Sequence, residues 1–198
     1  MKITLFTSNN LRHNYLVNLL SQNCDELFVV QESKTVFTGI NPGRYPVSKI
    51  IQNYFESVKI AQNKIFPNSG IVDLNNKCKV LPLAFDDLNK CTLKFLSPFL
   101  KSDLFIIFGS SYIKGELVDF LIKKKALNIH MGVSPYYKGT DCNFWALFDD
   151  NPHLVGSTIH LLSKGLDNGD ILYHAMSNIK TNAFDYTMST VKSAFNAH

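Results

Sequence analysis

The most constraining feature of the sequence is an uninterrupted apolar run, Leu-Phe-Ile-Ile-Phe, at residues 104–108. Asp103 precedes the run and Gly109 ends it. A short run without a polar residue is typical of a strand that is covered on both faces, as in a parallel sheet with helices on each side. We therefore expect residues 104–108 to form a central strand of an α/β protein.

Strand and helix patterns alternate on both sides of this run. Strand patterns lie at residues 3–7, 27–30, 80–84, 127–130, 155–162 and 171–175. Helical spacing lies at residues 11–20, 46–66, 86–96, 115–124, 141–148 and from 183 to the end, and residues 33–45 have the composition of a loop. In the helix at 141–148, Phe144, Trp145 and Leu147 are expected to face the core. The alternation predicts a mostly parallel central sheet with helices on both faces.

The domain organisation follows from the same patterns. Residues 1–182 are expected to form one catalytic domain, in which residues 33–78 are an insertion that contains an unusually long helix. Residues 183–198 form an amphipathic C-terminal helix, with Phe184, Met188, Val191 and Phe195 on one stripe. This helix reaches His198 without a C-capping residue, as a truncated or clipped domain would.

The composition excludes several classes of protein. Lys and Arg number 20 against 16 Asp and Glu, and no basic run is present, so nucleic acid is not expected as a partner. The four cysteines lie far apart without a CxxC pair, which predicts free thiols, no metal and a reducing compartment. No stretch approaches the roughly 20 apolar residues of a membrane span, and the apolar run at the N-terminus is too short for the expected core of a signal peptide. A cytoplasmic protein without a membrane partner is expected, and a homodimer is an open alternative to a monomer.

Two polar residues at a strand end suggest the chemistry. Asn128 and His130 lie two apart in a strand pattern, so their side chains point to the same face. An amide and an imidazole placed together can both donate to one oxyanion, and Asp167 can set the charge of the imidazole. Because no Ser or Cys stands beside a base, the attacking group is expected to be the substrate. The alternatives are a satisfied polar pair at a strand end and a turn-forming aspartate.

Five motifs occur in a fixed order between about residue 103 and residue 175. They are Leu-Asn-Ile-His at 127–130, Ser-Pro-Tyr-Tyr-Lys-Gly at 134–139, Trp-Ala-Leu at 145–147, Gly-Ser-Thr-Ile-His at 156–160 and Gly-Leu-Asp-Asn-Gly-Asp-Ile-Leu at 165–172. Together they resemble the 10-formyltetrahydrofolate-dependent formyltransferases. That family includes glycinamide ribonucleotide transformylase, methionyl-tRNA formyltransferase and the sugar N-formyltransferases. The resemblance implies a Rossmann-like formyltransferase fold with 10-formyltetrahydrofolate as formyl donor and no metal.

The resemblance also implies roles for individual residues. Asn128, His130 and Asp167 would be the catalytic trio: the first two would stabilise the oxyanion, and Asp167 would assist proton transfer. The donor would bind against two segments, namely Ser111, Tyr112, Ile113 and Lys114, and Leu166, Asn168, Gly169 and Asp170. The residues expected to contact the acceptor are Asn9, Asn10, Arg12, His13, Ser134, Tyr136, Tyr137 and His160, and His160 is equally explained as a half-buried strand residue.

Departures from the family pattern bear on the acceptor. The loop after the first strand, residues 7–13, lacks the glycines that cradle a phosphate in the purine-pathway enzyme, which disfavours glycinamide ribonucleotide. The chain is too short for the C-terminal barrel of the tRNA-directed members, which disfavours methionyl-tRNA. Met131 and the loop that follows it also differ from the family. A small amine, such as an amino sugar attached to a nucleotide, is the acceptor that remains.

Two other functions stay open from the sequence alone. A hydrolase could release formate from the same donor, because water can replace the amine. A binding module for folate or a nucleotide could keep the fold and lack turnover. The presence of Asn128, His130 and Asp167 together favours an enzyme.

Overall fold

The computed structural model describes residues 1–33, 48–70, 72 and 76–196. Their strands form one seven-stranded sheet in the order β3-β2-β1-β4-β5-β6-β7. The strands are β1 (Lys2–Ser8), β2 (Glu26–Ser33), β3 (Cys78–Ala84), β4 (Leu104–Phe108), β5 (Leu127–His130), β6 (Ser157–Leu161) and β7 (Ile171–Ala175). The first five strands in this order, β3-β2-β1-β4-β5, are parallel to one another. Strand β6 runs antiparallel to β5, and β7 runs antiparallel to β6. The predicted α/β fold with a mostly parallel sheet is confirmed.

The central strands carry apolar side chains on both faces of the sheet. In β4, Ile106 and Phe108 belong to one hydrophobic cluster, and Phe105 and Ile107 belong to the other. Four of its five residues are buried, as expected for a strand with two covered faces. The predicted central strand is therefore confirmed.

Helices cover both faces of the sheet. The helices are α1 (Leu11–Asn23), α2 (Lys49–Ile65), α3 (Leu93–Leu96), α4 (Gly115–Lys123), α5 (Cys142–Phe148) and α6 (Ala183–Phe195). Residues of α1, α2 and α6 share one cluster with the sheet, and residues of α3 and α4 share the other. In α6, Met188, Val191 and Phe195 are buried and Phe184 packs against them, as its apolar stripe predicts.

The long helix of the predicted insertion is present as α2, which has 17 residues and ends before Pro67. It lies against α6, where Lys64 forms an ion pair with Asp185. The predicted helix start at residues 46–47 and all but the first residue of the predicted loop at 33–45 lie outside the described residues.

The single helix predicted at residues 86–96 is wrong. The chain forms a 3-10 turn at Asp87–Lys90 and then the separate helix α3, with a second 3-10 turn at Ser97–Phe99. The Thr92 side chain accepts a hydrogen bond from Phe95 N at 3.2 Å and caps the new helix. Cys91 has an extended backbone and separates the 3-10 turn at Asp87–Lys90 from α3.

The predicted packing face of α5 is confirmed at Leu147, which packs against a small hydrophobic cluster, and wrong at Phe144 and Trp145. Phe144 and Trp145 are 41% and 48% exposed, whereas Asn143 is buried. Asn143 takes the interior position because its Oδ1 accepts the Gly156 N–H at 2.9 Å, and Nδ2 lies 3.4 Å from Thr190 Oγ1. A polar side chain that satisfies a buried backbone group thus replaces the expected aromatic side chain in the core.

The helices of the described ranges include none with the length and apolar character that a bilayer crossing requires. Within these ranges, no group of three or more His, Cys, Asp or Glu side chains is placed to hold a metal ion.

Candidate active site

The candidate site lies where β5 ends, and its centre is Asp167 in the loop between β6 and β7. Asp167 Oδ2 lies 3.2 Å from His130 Nδ1. Its Oδ1 accepts a hydrogen bond from Asn128 Nδ2 at 3.2 Å. The two β5 side chains share a face, as predicted, and both reach the same carboxylate. The Gly139 N–H donates a further hydrogen bond to Oδ2 at 2.9 Å.

Asn128 makes a second contact, with the facing strand β6. Asn128 pairs with His160 across the antiparallel register, and Asn128 Nδ2 lies 3.0 Å from His160 Nε2. His160 Nδ1 lies 2.8 Å from the Leu161 carbonyl, which can only accept. The His160 proton is therefore on Nδ1, and Nε2 accepts from Asn128. Both Nδ2 protons of Asn128 are engaged, one by His160 and one by Asp167.

His130 is 5% exposed, and both of its ring nitrogens face acceptors. Nδ1 faces the Asp167 carboxylate, and Nε2 lies 3.0 Å from the Tyr137 carbonyl. Burial lowers the pKa of His130, and the opposing effects of Asp167 and the Tyr137 carbonyl do not cancel this. A neutral ring has one proton, and the charged carboxylate is the stronger acceptor. In the neutral ring the proton is therefore on Nδ1, and the Nε2 lone pair faces the Tyr137 carbonyl, which cannot donate to it.

Asp167 is held as an anion in an uncommon backbone conformation. Burial acts to raise the pKa of Asp167, but contacts with His160, His130 and the Gly139 N–H hold the pKa below its ordinary value. The residue has φ of 44°, in the left-handed region. Such a conformation is common for Asp, and it recurs at functional sites. The loop therefore aims an ionised carboxylate at the imidazole.

Two close approaches in the surrounding backbone require glycine. A Cβ on Gly132 would lie 2.5 Å from His130 Nε2 and 2.6 Å from Cys142 Cβ, so the chain after β5 passes directly beside the imidazole. A Cβ on Gly169 would lie 1.7 Å from the Leu161 carbonyl oxygen. The second contact fixes the Asp167 loop against the end of β6.

The thiol of buried Cys142 is not suited to act as a nucleophile. Burial raises the pKa of Cys142 to about 12, and the charge of Asp167 acts in the same direction. A thiol with such a pKa carries almost no thiolate at neutral pH.

The residues expected at the donor lie in two neighbouring segments. Tyr112 OH donates to the Lys164 carbonyl and so connects the segment after β4 with the segment that leads to Asp167. Asn168 Oδ1 accepts from Lys138 Nζ at 2.7 Å. A cavity of about 230 Å³ lies beside this connection. Its lining comprises Tyr112, Ile113, Lys114, Gly115, Val118, Asp119 and Lys164.

Four of these residues differ in what they expose. Tyr112 is 50% exposed and Leu166 is 54% exposed. Ile113 and Ser111 are buried, and the Ile113 side chain packs in the hydrophobic cluster beneath α4. The Ile113 side chain is therefore not placed to contact a ligand, although the Ile113 backbone could do so.

The residues after β1 that were expected to contact the acceptor differ in burial and in hydrogen-bond partners. His13 is 2% exposed, and its Nδ1 lies 2.8 Å from Ser8 Oγ. Asn10 is the residue before α1, and Asn9 is exposed. Arg12 Nη1 donates to Gln62 Oε1 at 3.0 Å, while Arg12 Nε is buried without a hydrogen-bond partner among the described residues. Burial lowers the pKa of Arg12 to about 10, and the charge of Asp141 opposes the shift.

The loop after β5 places its predicted acceptor residues differently. Tyr136 is 69% exposed. Tyr137 OH donates to Asp149 Oδ2 at 3.1 Å and accepts from Asn151 Nδ2 at 3.0 Å, so this ring is anchored to the segment after α5. Ser134 is buried, and its N–H donates to Thr158 Oγ1 at 3.0 Å.

Two contributors to the site were not predicted. Gly139 supplies a backbone N–H to Asp167, and Thr158 links the β5 loop to β6 through Ser134 and the Gly132 carbonyl, which its Oγ1 contacts at 2.6 Å. Thr158 and His160 lie two apart in the chain, as Asn128 and His130 do. This spacing places Thr158 and His160 on one face of β6. It identifies them as site residues only when β5 and β6 are known to be neighbours.

Comparisons with solved structures show the same fold in formyltransferases. Phosphoribosylglycinamide formyltransferase from Anaplasma phagocytophilum has a TM-score of 0.60 and 14% identity, over 100% of this chain and 82% of that one. The enzyme of the same description from Streptococcus pneumoniae TIGR4 has a TM-score of 0.57 and 17% identity, over 99% of this chain and 93% of that one. A sugar N-formyltransferase from Shewanella sp FDAARGOS_354 has a TM-score of 0.57 and 17% identity, over 99% and 66%.

The comparison with family models assigns the class. A model described as formyl transferase matches residues 100–197, the part of the chain that holds Asn128, His130 and Asp167. Over these residues the chain is similar to the formyl transferase family, and the resemblance predicted from the sequence is confirmed. The prediction of a formyltransferase enzyme is confirmed at this level.

Proposed function

We propose that the protein transfers a formyl group from 10-formyltetrahydrofolate to the amine of a small acceptor. The observation that carries the proposal is that Asn128 and His130, both on β5, each contact the carboxylate of Asp167. An ionised carboxylate, an imidazole and an amide are the groups that direct acyl transfer between two bound molecules requires.

The proposed reaction begins when the lone pair of the acceptor amine attacks the formyl carbon. A carbon–nitrogen bond forms, and the formyl oxygen becomes an oxyanion. Asn128 Nδ2 would stabilise this oxygen by turning one proton away from His160 or Asp167, which hold both protons in this structure. The bond between the formyl carbon and N10 of the folate then breaks.

The proton balance gives His130 its role. The attacking amine becomes positively charged and must lose a proton, while N10 must gain one as it leaves. With its proton on Nδ1, His130 carries a lone pair on Nε2, which faces the Tyr137 carbonyl in this structure. Once this carbonyl moves aside, Nε2 can take the proton from the amine and return it to N10 directly or through water. Asp167, bonded to Nδ1, stabilises the imidazolium that exists between the two steps.

The donor would lie across the segments 111–114 and 166–170. Tyr112 joins the two segments, and the exposed Leu166 and Tyr112 side chains supply apolar and aromatic surface. Flat ring systems bind well against such side chains.

An amino sugar attached to a nucleotide is the acceptor that we favour. The end of β1 offers Asn9, Asn10 and Arg12, and the Arg12 guanidinium has an Nε–H that meets no acceptor in the part of the chain that the structure describes. A phosphate oxygen would satisfy such a donor. Glycinamide ribonucleotide and methionyl-tRNA are the competing acceptors.

The test is a screen of amino-sugar nucleotides, glycinamide ribonucleotide and charged tRNA, with tetrahydrofolate release and free formate measured in parallel. We expect release of tetrahydrofolate with an amino-sugar nucleotide and no matching formate. Asn128→Ala should lower kcat by about 10²- to 10³-fold, the usual cost of losing an oxyanion donor. Asn178→Ala, an exposed amide outside the site, is the matched control.

Equal formate release with and without amines would replace transfer by hydrolysis. An unchanged rate in Asn128→Ala would remove the trio from the chemistry.

A further inference from the structure

Glu32 is a buried carboxylate that the reaction does not use. It lies near the end of β2 and is fully buried, with a relative exposure of 0%. Among the described residues, no Lys, Arg or His forms an ion pair with it. A buried carboxylate is costly unless it is fully hydrogen-bonded, so its partners indicate what it holds.

Four donors to Glu32 lie within the described residues, and all four come from two loops at the same edge of the sheet. Oε2 accepts the Ser111 N–H at 2.6 Å, and Oε1 accepts Ser111 Oγ at 2.9 Å. Oε1 also accepts the Asp86 N–H at 2.9 Å and the Leu88 N–H at 3.4 Å. One carboxylate thus fastens the segment after β4 to the segment after β3.

Asn89 makes a second connection between the same two segments. Its Nδ2 donates to the Tyr112 carbonyl at 2.9 Å, and its Oδ1 accepts the Lys114 N–H at 2.9 Å. The side-chain amide therefore pairs with both backbone groups of the loop, as a neighbouring strand would. Three of the four residues from Ser111 to Lys114 are held by Glu32 or Asn89.

We propose that Glu32 is a positioning residue that sets the conformation of the Ser111–Lys114 loop and, through it, the affinity for the folate donor. Asn89 acts with it. The inference rests on the proposed function, because it takes this loop as part of the donor site. Glu32 is remote from the catalytic trio, which occupies β5 and the loop after β6. Its loss should therefore weaken donor binding and spare the chemical step.

The substitution Glu32→Gln separates these effects with little change in shape. The carboxamide keeps one oxygen, which is best placed at the position of Oε1, where three donors converge. The new NH2 group then faces the Ser111 N–H, so two donors oppose each other. We expect the Kd for tetrahydrofolate to rise about tenfold, which corresponds to about 1.4 kcal/mol. At saturating donor, kcat and the acceptor KM should stay within about twofold of the wild type.

Two further variants make the test specific. Glu26→Gln changes a partly exposed glutamate on the same strand and should leave the Kd unchanged. Asn89→Ser removes the second connection without disturbing a buried charge, and it should raise the Kd in the same direction. It also carries the test if Glu32→Gln does not fold.

Amide hydrogen exchange, measured by NMR, reports on the loop without reference to activity. The Ser111 amide should exchange faster in Glu32→Gln than in the wild type. Faster exchange with an unchanged Kd would overturn the proposal, as would equal losses in kcat and in both KM values. A wild-type protein that fails to bind tetrahydrofolate would instead overturn the proposed function, before any variant is compared.

Discussion

Replacement of Asp167 by asparagine tests the proton assignment at His130. The carboxylate has three donors around it, namely Asn128 Nδ2, His130 Nδ1 and the Gly139 N–H. Asp167→Asn keeps the shape and one acceptor oxygen but removes the charge. If the new NH2 group faces His130, the ring must move its proton to Nε2, and the lone pair that accepts from the amine is lost.

The magnitude follows from the contacts that are removed. A hydrogen bond to a charged group contributes about 1.5–3 kcal/mol, and two such bonds, from His130 and Gly139, meet the same oxygen. A loss of about 3–6 kcal/mol corresponds to about 10²- to 10⁴-fold in rate. We expect kcat of Asp167→Asn to fall by this factor, while tetrahydrofolate binds as tightly as to the wild type.

The assay is steady-state formyl transfer together with a direct titration of tetrahydrofolate. Asp150→Asn is the matched control, because Asp150 is exposed, lies outside the site and shares a positive φ, 58°. A kcat within about tenfold of the wild type would refute the role of Asp167. A parallel loss of tetrahydrofolate affinity would show that the aspartate serves binding instead.

Three further outcomes test the structure around the site. Gly169→Ala should destabilise the protein by more than about 2 kcal/mol in urea unfolding, because its Cβ would overlap the Leu161 carbonyl oxygen. Gly70→Ala should have little effect, because no atom of the described residues lies within 4 Å of the added Cβ. Burial lowers the pKa of His130, so the unfolded chain binds more protons than the folded protein between the folded pKa and about 6.5. The free energy of unfolding should therefore fall as the pH drops below about 6.5, and His130→Asn should flatten this slope. An equal slope in both proteins would contradict the assignment. Trp145 is the one tryptophan of the chain and is 48% exposed, so iodide should quench the native fluorescence readily; a protected signal would place its ring in the core, as the sequence pattern suggested.

Local patterns were sufficient where one element determines the outcome. The continuous apolar run of β4 identified a strand covered on both faces, and the spacing of Asn128 and His130 placed both side chains on one face of β5. The stripe through Met188 and Val191 identified the buried face of α6. In each case the periodicity of a single element carries the information.

Contacts between distant segments were not visible in the same patterns. Asn143 is buried because it accepts the N–H of Gly156, and this long-range hydrogen bond turns Phe144 and Trp145 outward. His160 engages Asn128 only because β6 runs antiparallel to β5. Glu32 ends an ordinary apolar strand pattern, and nothing local indicates that backbone amides more than 50 residues away would surround it.

The central claim is that the formyl group passes directly from the folate to an amine bound beside His130. A single-turnover experiment with 10-formyltetrahydrofolate carrying a labelled formyl carbon tests it most directly, with the protein in excess over the donor and the amino-sugar nucleotide present. We predict that the label appears in an N-formyl product in equal amount to the tetrahydrofolate released, and that Asp167→Asn delays both together. Label recovered as free formate, in the presence of saturating amine, would contradict the claim.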